Sequence, residues 1–191
     1  MKFKYDICIV GGVGHVGLPL GLLFKSKGKK VVLFDLDHKN IEKVNNGIMP
    51  FKEIGAEKFL KKKTSNFFAT NKKKYIPQAK FLIISIGTPV DKNLNPKLDD
   101  FLNFFKNIKN IINKNQIVII RSSIYPGTCN RIIKILGKKF KNIAYCPERI
   151  VQGQAIKELP KLPQIVSGFS NVAVKSASIL FKTICRKILV T

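Results

Sequence analysis

Three glycines, Gly12, Gly14 and Gly17, stand in the spacing G-x-G-x-x-G within Gly11-Gly12-Val13-Gly14-His15-Val16-Gly17, directly after the apolar run Asp6-Ile-Cys-Ile-Val10. Such a turn suits a pyrophosphate. The first glycine allows a tight turn, the second lets backbone approach the phosphates, and the third permits close packing of helix on strand. Free N–H groups at the start of the following helix attract the anionic oxygens. A glycine spacing alone is weak evidence, but here it follows a strand, opens a helix and precedes a second strand, Val31-Val-Leu-Phe34, that ends in Asp35. Asp35 lies 23 residues after Gly12, where an acidic side chain bonds a ribose hydroxyl and repels a 2′-phosphate, favouring NAD over NADP. The alternative is that Asp35 only caps the next helix. His15, inside the turn, is suited to backbone contact with a cofactor rather than to acid–base work.

In doubly wound sheets ligands sit beyond the carboxyl ends of the strands, and three more polar clusters occupy such positions. They are Ile86-Gly87-Thr88-Pro89-Val90-Asp91, Arg121-Ser122-Ser123-Ile124-Tyr125-Pro126-Gly127-Thr128, and Pro147-Glu148-Arg149-Ile150. Thr88 can offer a hydroxyl to the cofactor. Each cluster also has a plain structural reading: Thr88-Pro89 as a turn, Ser122 and Ser123 as helix caps, Glu148-Arg149 as a surface ion pair. Their joint appearance at strand ends favours a site.

The elements that must position these groups alternate along the chain. Strands are expected near 6–10, 30–34, 67–70, 80–85, 116–120, 143–146 and 164–167, and helices near 15–27, 39–46, 53–62, 99–112, 127–136 and 171–184. A last strand-like stretch runs from Arg186 to Thr191. This alternation predicts an α/β fold, a Rossmann-like, doubly wound and mostly parallel sheet with helices on both faces, as one domain over residues 1–191. Pro19 falls inside the first turn of its helix, where a missing N–H costs little, and Pro160-Lys-Leu-Pro163 stiffens the approach to the strand at 164. Ending on a strand without a capping element, the chain reads as cut rather than completed.

The 191 residues carry 35 Lys+Arg against 11 Asp+Glu, a formal charge of +24, yet 45% are hydrophobic, enough for a core. Only four of the basic residues are arginines, and lysine runs such as Lys61-Lys62-Lys63, Lys72-Lys73-Lys74 and Lys138-Lys139 lack interleaved aromatics. That pattern fits solvated surface, with attraction to anionic cofactors and sugar nucleotides as the alternative, and disfavours a nucleic-acid reader. The four cysteines, Cys8, Cys129, Cys146 and Cys185, form no C-x-x-C pair. Zinc and disulfide scaffolds are thereby disfavoured, no metal site is expected, and a reducing cytoplasm fits. The first residues show neither a signal peptide nor a membrane span.

Taken together, these stretches resemble the nucleotide-sugar dehydrogenases of the UDP-glucose/GDP-mannose dehydrogenase family. The matching segments are Gly12-Val-Gly-His-Val-Gly-Leu-Pro-Leu20, Gly87-Thr-Pro89, Arg121-Ser-Ser123 with Pro126-Gly-Thr128, and Ala144-Tyr-Cys-Pro-Glu-Arg-Ile150 continuing to Gly153-Gln-Ala-Ile-Lys-Glu-Leu159. The Pro-Glu-Arg form looks more like the UDP-N-acetylhexosamine members, such as the UDP-N-acetylmannosamine dehydrogenases, than like UDP-glucose dehydrogenases. The resemblance implies a four-electron oxidation of a sugar primary alcohol to a carboxylate with two NAD molecules, serving polysaccharide biosynthesis. It further implies a cysteine thiolate that traps the aldehyde and a thioester that water hydrolyses. By position, Glu148 corresponds to the family's catalytic glutamate, and Ser123 to a threonine that helps place the water and contacts the cofactor. Glu148, Arg149 and Ile150 match the segment lining the sugar-nucleotide site. The glycine loop from Gly12 through Val13, Gly14, His15 and Val16 to Gly17, with Asp35, Asn40, Thr88 and Ser123, matches cofactor-contacting positions. Ser123 keeps the hydroxyl of the usual threonine without its methyl; Arg121 replaces a frequent acidic or lysine residue.

The family's central dimerisation helices, with a catalytic Lys and Asn, and its UDP-binding domain with the nucleophilic Cys would follow Thr191, and none of the four cysteines present lies in such a context. The expectation is therefore the NAD-binding domain alone, inactive by itself. It would work with a UDP-sugar and, in a split enzyme, with a separate chain carrying the catalytic half; the full-length family forms homodimers. A stand-alone dinucleotide-binding module and a basic nucleic-acid-associated protein are the competing readings. Which sugar is oxidised does not follow from these residues.

Overall fold

Strands buried on both faces are written as unbroken apolar runs, and Val31-Val-Leu-Phe34, Phe81-Leu-Ile-Ile84 and Ile117-Val-Ile-Ile120 are three of them, buried at every position. The computed structural model describes residues 3–62, 64–88, 98–137 and 140–191. Pro89, Val90 and Asp91 of the Thr88 loop, Lys63 and the Lys138-Lys139 pair lie outside the described residues.

In chain order the elements are β1 (Tyr5–Val10), α1 (Gly17–Ser26), β2 (Val31–Phe34), α2 (His38–Asn45), α3 (Glu57–Lys61), β3 (Phe67–Thr70), β4 (Ala79–Ile84), α4 (Leu98–Ile108), β5 (Ile117–Ile120), α5 (Thr128–Leu136), β6 (Ile143–Tyr145), α6 (Ala155–Glu158), β7 (Gln164–Gly168), α7 (Asn171–Lys182) and β8 (Ile188–Val190). A 3-10 helix, Lys73–Gln78, precedes β4. The sheet runs β3-β2-β1-β4-β5-β6-β7-β8, every pair parallel except β6 with β7. Strand order therefore reverses between β1 and β4, where Val10 pairs with Phe34 on one side and Ile84 on the other. The crossovers diverge to opposite faces there, which leaves a crevice at the carboxyl ends of the strands.

Alternation along β1 sends Ile7 and Ile9 to one core, with α1 and α7, and Cys8 and Val10 to the other, with α4 and α5. Helix α1 is buried from Gly17 to Phe24 and reaches solvent only at its end, as a central helix should. Among the described residues no helix is long and apolar enough to cross a membrane.

The expected alternation and sheet are present, with three local differences. The helix expected from Glu53 begins at Glu57, because the chain first turns at Gly55, whose φ is +81°. The 3-10 helix and α6 are too short to carry a period that sequence reveals. Strand β7 runs antiparallel, and its Gly168 lies opposite Ala144 of β6, where a Cβ would come 2.7 Å from the Ile143 carbonyl oxygen.

Candidate functional site

The glycine turn is built by close approach rather than by flexibility throughout. The tight bend falls on Gly11, with φ of +73°, one residue before the motif's first glycine. A Cβ there would stand 2.7 Å from the Ser85 carbonyl oxygen of the loop after β4. Gly12 packs on β2, where a Cβ would meet Leu33 Cα at 2.7 Å, and a Cβ on Gly17 would overlap the Gly11 carbonyl oxygen. At Gly14, by contrast, a Cβ would meet only the Gly11 oxygen, at 3.4 Å. Gly14 thus leaves room for a ligand, while Gly12 and Gly17 leave room for the protein itself. Among the described backbone bonds, none uses the N–H of His15, Val16 or Gly17, so these donors face the start of α1 free for an anion.

Asp35 closes the other side. Its Oδ2 accepts the Val13 N–H at 3.1 Å, and its Oδ1 accepts those of Leu36 at 2.8 Å and Asp37 at 3.2 Å. The cap of α2 is Asp37, whose Oδ1 accepts the Asn40 N–H at 3.0 Å; Asp35 is not the cap. It is instead a fixed carboxylate at the wall of a cleft of about 570 Å3 that also includes Gly11, Gly14, Ser85, Gly87 and Phe104. Two residues matched as cofactor contacts are otherwise engaged: the Val13 N–H is taken by Asp35, and the Asn40 amide donates to Asp37 Oδ2 at 2.8 Å, away from the cleft lining. The open wall at Gly14, the free N–H groups and the fixed carboxylate fit a dinucleotide.

The loops after β4 and β5 are stitched together beside this cleft. Thr88 Oγ1 donates to the Ser123 carbonyl at 2.7 Å, and Ser122 Oγ donates to that of Ile86 at 2.6 Å. Neither serine caps α5, whose N-cap position is Gly127. Ser123 is exposed, and Thr88 has donated its proton within the protein, which leaves its oxygen able to act only as an acceptor.

Beyond β6, Glu148 pairs not with its neighbour but with Arg121, whose Nη2 lies 2.5 Å from Glu148 Oε2. The N–H direction misses the oxygen, so the contact is ionic rather than an aligned hydrogen bond. Glu148 Oε1 accepts the N–H groups of Arg149 at 2.7 Å and Ile150 at 3.2 Å. Arg149 sends its own guanidinium to the Pro163 carbonyl. Arg121, which sequence left unexplained, is thus a buried hub of the site.

Cys8, Cys146 and Cys185 sit in the core, and Cys129 is half-buried against it. Burial pushes the thiols of Cys8 and Cys146 up to about 12 and those of Cys129 and Cys185 up to about 11, so none is a ready nucleophile at neutral pH. Among the described residues no group of His, Cys, Asp and Glu could hold a metal ion.

Glu53 is the residue that sequence reading missed. It is 5% exposed and accepts the Ile156 N–H at 3.2 Å, tying the loop before α3 to the segment that follows Glu148. Burial pushes its carboxyl above the usual range, against the N–H groups of Ile156, Ala155 and Gly153 and the nearby His15. His15 stacks on Phe51, with ring centroids 3.9 Å apart. The only signal was an acidic residue between Lys52 and Ile54, which reads equally as a helix start.

Residues 5–185 match the family model for the NAD binding domain of the UDP-glucose/GDP-mannose dehydrogenase family. The chain is 29% identical over 181 residues to a UDP-N-acetyl-D-mannosamine dehydrogenase of Methanococcus vannielii, covering 93% of this chain and 42% of that protein. It is 30% identical to Protein CapL of Staphylococcus aureus, covering 85% and 39%. Among solved structures, the UDP-D-ManNAc dehydrogenase of Pyrococcus horikoshii superposes with a TM-score of 0.89 at 26% identity, over 97% of this chain and 46% of that one. The chain spans about two-fifths of the length of these curated relatives.

Proposed function

The chain belongs to the UDP-glucose/GDP-mannose dehydrogenase family as an NAD-binding domain, and from that premise we propose that it is the cofactor-binding part of a UDP-sugar 6-dehydrogenase of the N-acetylhexosamine type. The substrate class rests on the relatives' names together with the Pro147-Glu148-Arg149 segment. Bound NAD supplies the hydride acceptor. The N–H groups of His15, Val16 and Gly17 hold the pyrophosphate beside Gly14, and Asp35 receives the adenosine ribose hydroxyls. Ser123 and Thr88 present their oxygens at the loops after β5 and β4, and Ser123 helps place a water. Glu148, at the carboxyl end of β6, handles the proton of that water, and Arg149 and Ile150 line the sugar-nucleotide side.

The observation that carries this reading is the Asp35 carboxylate, fixed by three backbone N–H groups across the cleft from Gly14. A ribose hydroxyl can donate to it, whereas a 2′-phosphate meets a charge that cannot turn away. Calorimetric titration of the chain with NAD and NADP tests this. The expected result is saturable NAD binding, NADP weaker by at least about 10-fold, and a preference largely lost in D35N, since a charge-assisted hydrogen bond contributes about 1.5–3 kcal/mol. Binding of neither cofactor by folded protein overturns the proposal.

A further inference from the structure

Among the described residues Arg121 is the largest fully buried side chain, at 1% exposed, and it follows directly on β5. Its Nη1 donates to the carbonyls of Cys146 at 3.0 Å and Pro147 at 3.2 Å and to Gln164 Oε1 at 2.5 Å, and its guanidinium lies 5.2 Å over the ring of Phe181. Its Nη2 faces Glu148 Oε2, and its own carbonyl accepts the Glu148 N–H at 3.1 Å. One side chain thereby ties the ends of β5, β6 and β7 to one carboxylate.

A pair this deeply buried is poor evidence for stability, because desolvating both charges offsets most of their attraction, and apolar residues fill such space at least as well. What the pair does supply is a fixed place for the carboxylate. Arg121 takes Oε2, the N–H groups of Arg149 and Ile150 take Oε1, and the carboxylate is held from both ends. A planar fork serves these divergent acceptors; an ammonium serves the charge but not the geometry. We propose that Arg121 is a positioning residue for Glu148, fixing the carboxylate and with it the turn Glu148-Arg149-Ile150 that faces the sugar nucleotide. The proposal rests on the functional reading given above for Glu148. Arg121 itself touches neither substrate nor cofactor.

Amide hydrogen exchange on the nitrogen-15-labelled chain tests the arrangement, with the N–H groups of Arg149 and Ile150 as reporters and those of β4 and β5 as reference. In R121M the reporters are expected to lose about 10-fold in protection while the reference strands hold theirs, and R121K is expected to recover part of the loss by keeping the charge. R121M leaves a buried carboxylate unpaired and can fail to fold. E148Q then carries the test: it keeps an acceptor for both N–H groups, removes the ion pair, and is expected to lose protection by a similar factor. Unchanged reporters in folded R121M or E148Q overturn the proposal. So does an equal loss at reporters and reference strands, which marks a purely structural residue. The exchange readout does not depend on turnover. Failure of Glu148 as the proton-handling group, seen as an unchanged kcat for E148Q in a turning-over assembly, is therefore distinct from failure of Arg121 to hold it.

Discussion

A carboxyl that is buried and half-satisfied makes stability depend on pH, and Glu53 is that group here: Oε1 is bonded to Ile156 and Oε2 is buried without a partner. Its folded-state value is raised above the ordinary 4.5. Below 4.5 both folded and unfolded chains carry the proton. As pH rises, the unfolded chain ionises first, so stability falls until the raised folded value has been passed. Glutamine at this position keeps the Oε1 acceptor and does not titrate. E53Q is therefore expected to match the parent near pH 4 and to exceed it progressively toward neutrality, read as urea midpoints from pH 4 to 8. Parallel midpoint curves across that range sink the assignment. Glu53 was not legible as a functional-region residue, because its partners come from a segment about a hundred positions away.

At the scale of elements, the strand–turn–helix unit from β1 to α1 divides its glycines between folding and binding. An alanine at Gly17 overlaps the Gly11 carbonyl and comes 2.9 Å from Gly12 Cα, both backbone atoms that cannot step aside without moving the turn. G17A is expected to lose about 1–3 kcal/mol of stability, as overpacking does. G14A has no such conflict and is expected to unfold within about 0.5 kcal/mol of the parent, yet to bind NAD more weakly, since its methyl stands where backbone and pyrophosphate approach. Thermal unfolding with calorimetry separates the two; a G14A chain that binds like the parent removes the turn from the site. The motif spacing was readable, but the left-handed residue was not: Gly11 lies against Ser85 of the loop after β4, a neighbour that only the assembled sheet supplies.

For the molecule as a whole, the proposed oxidation carried through to a carboxylate needs a nucleophile to hold the aldehyde, and all four thiols are raised by burial. The 191-residue chain alone, given NAD and a UDP-sugar, is expected to form no NADH, followed by absorbance. Measurable NADH with any UDP-sugar overturns that. The parallel run from β2 through β6 explains why the pieces named by sequence share one edge of the sheet. Gly14, Asp35, Thr88, Ser123 and Glu148 lie on five different loops, yet each follows a strand whose carboxyl end points to the same edge of the sheet.

Sequence alone determined the period of the elements, the doubly wound class, the turn after β1 and the strand-end residues, because each is a local pattern of apolar spacing or backbone chemistry. Tertiary structure alone decided which charges meet. Glu148 had Arg149 beside it in sequence and found Arg121 in space; Asp35 was a candidate helix cap and became the acceptor of Val13; Asn40 and the Val13 amide were spent inside the protein. Such pairings join loops from separate strands, and the strand order and register that bring them within reach are properties of the assembled sheet rather than of any stretch of chain.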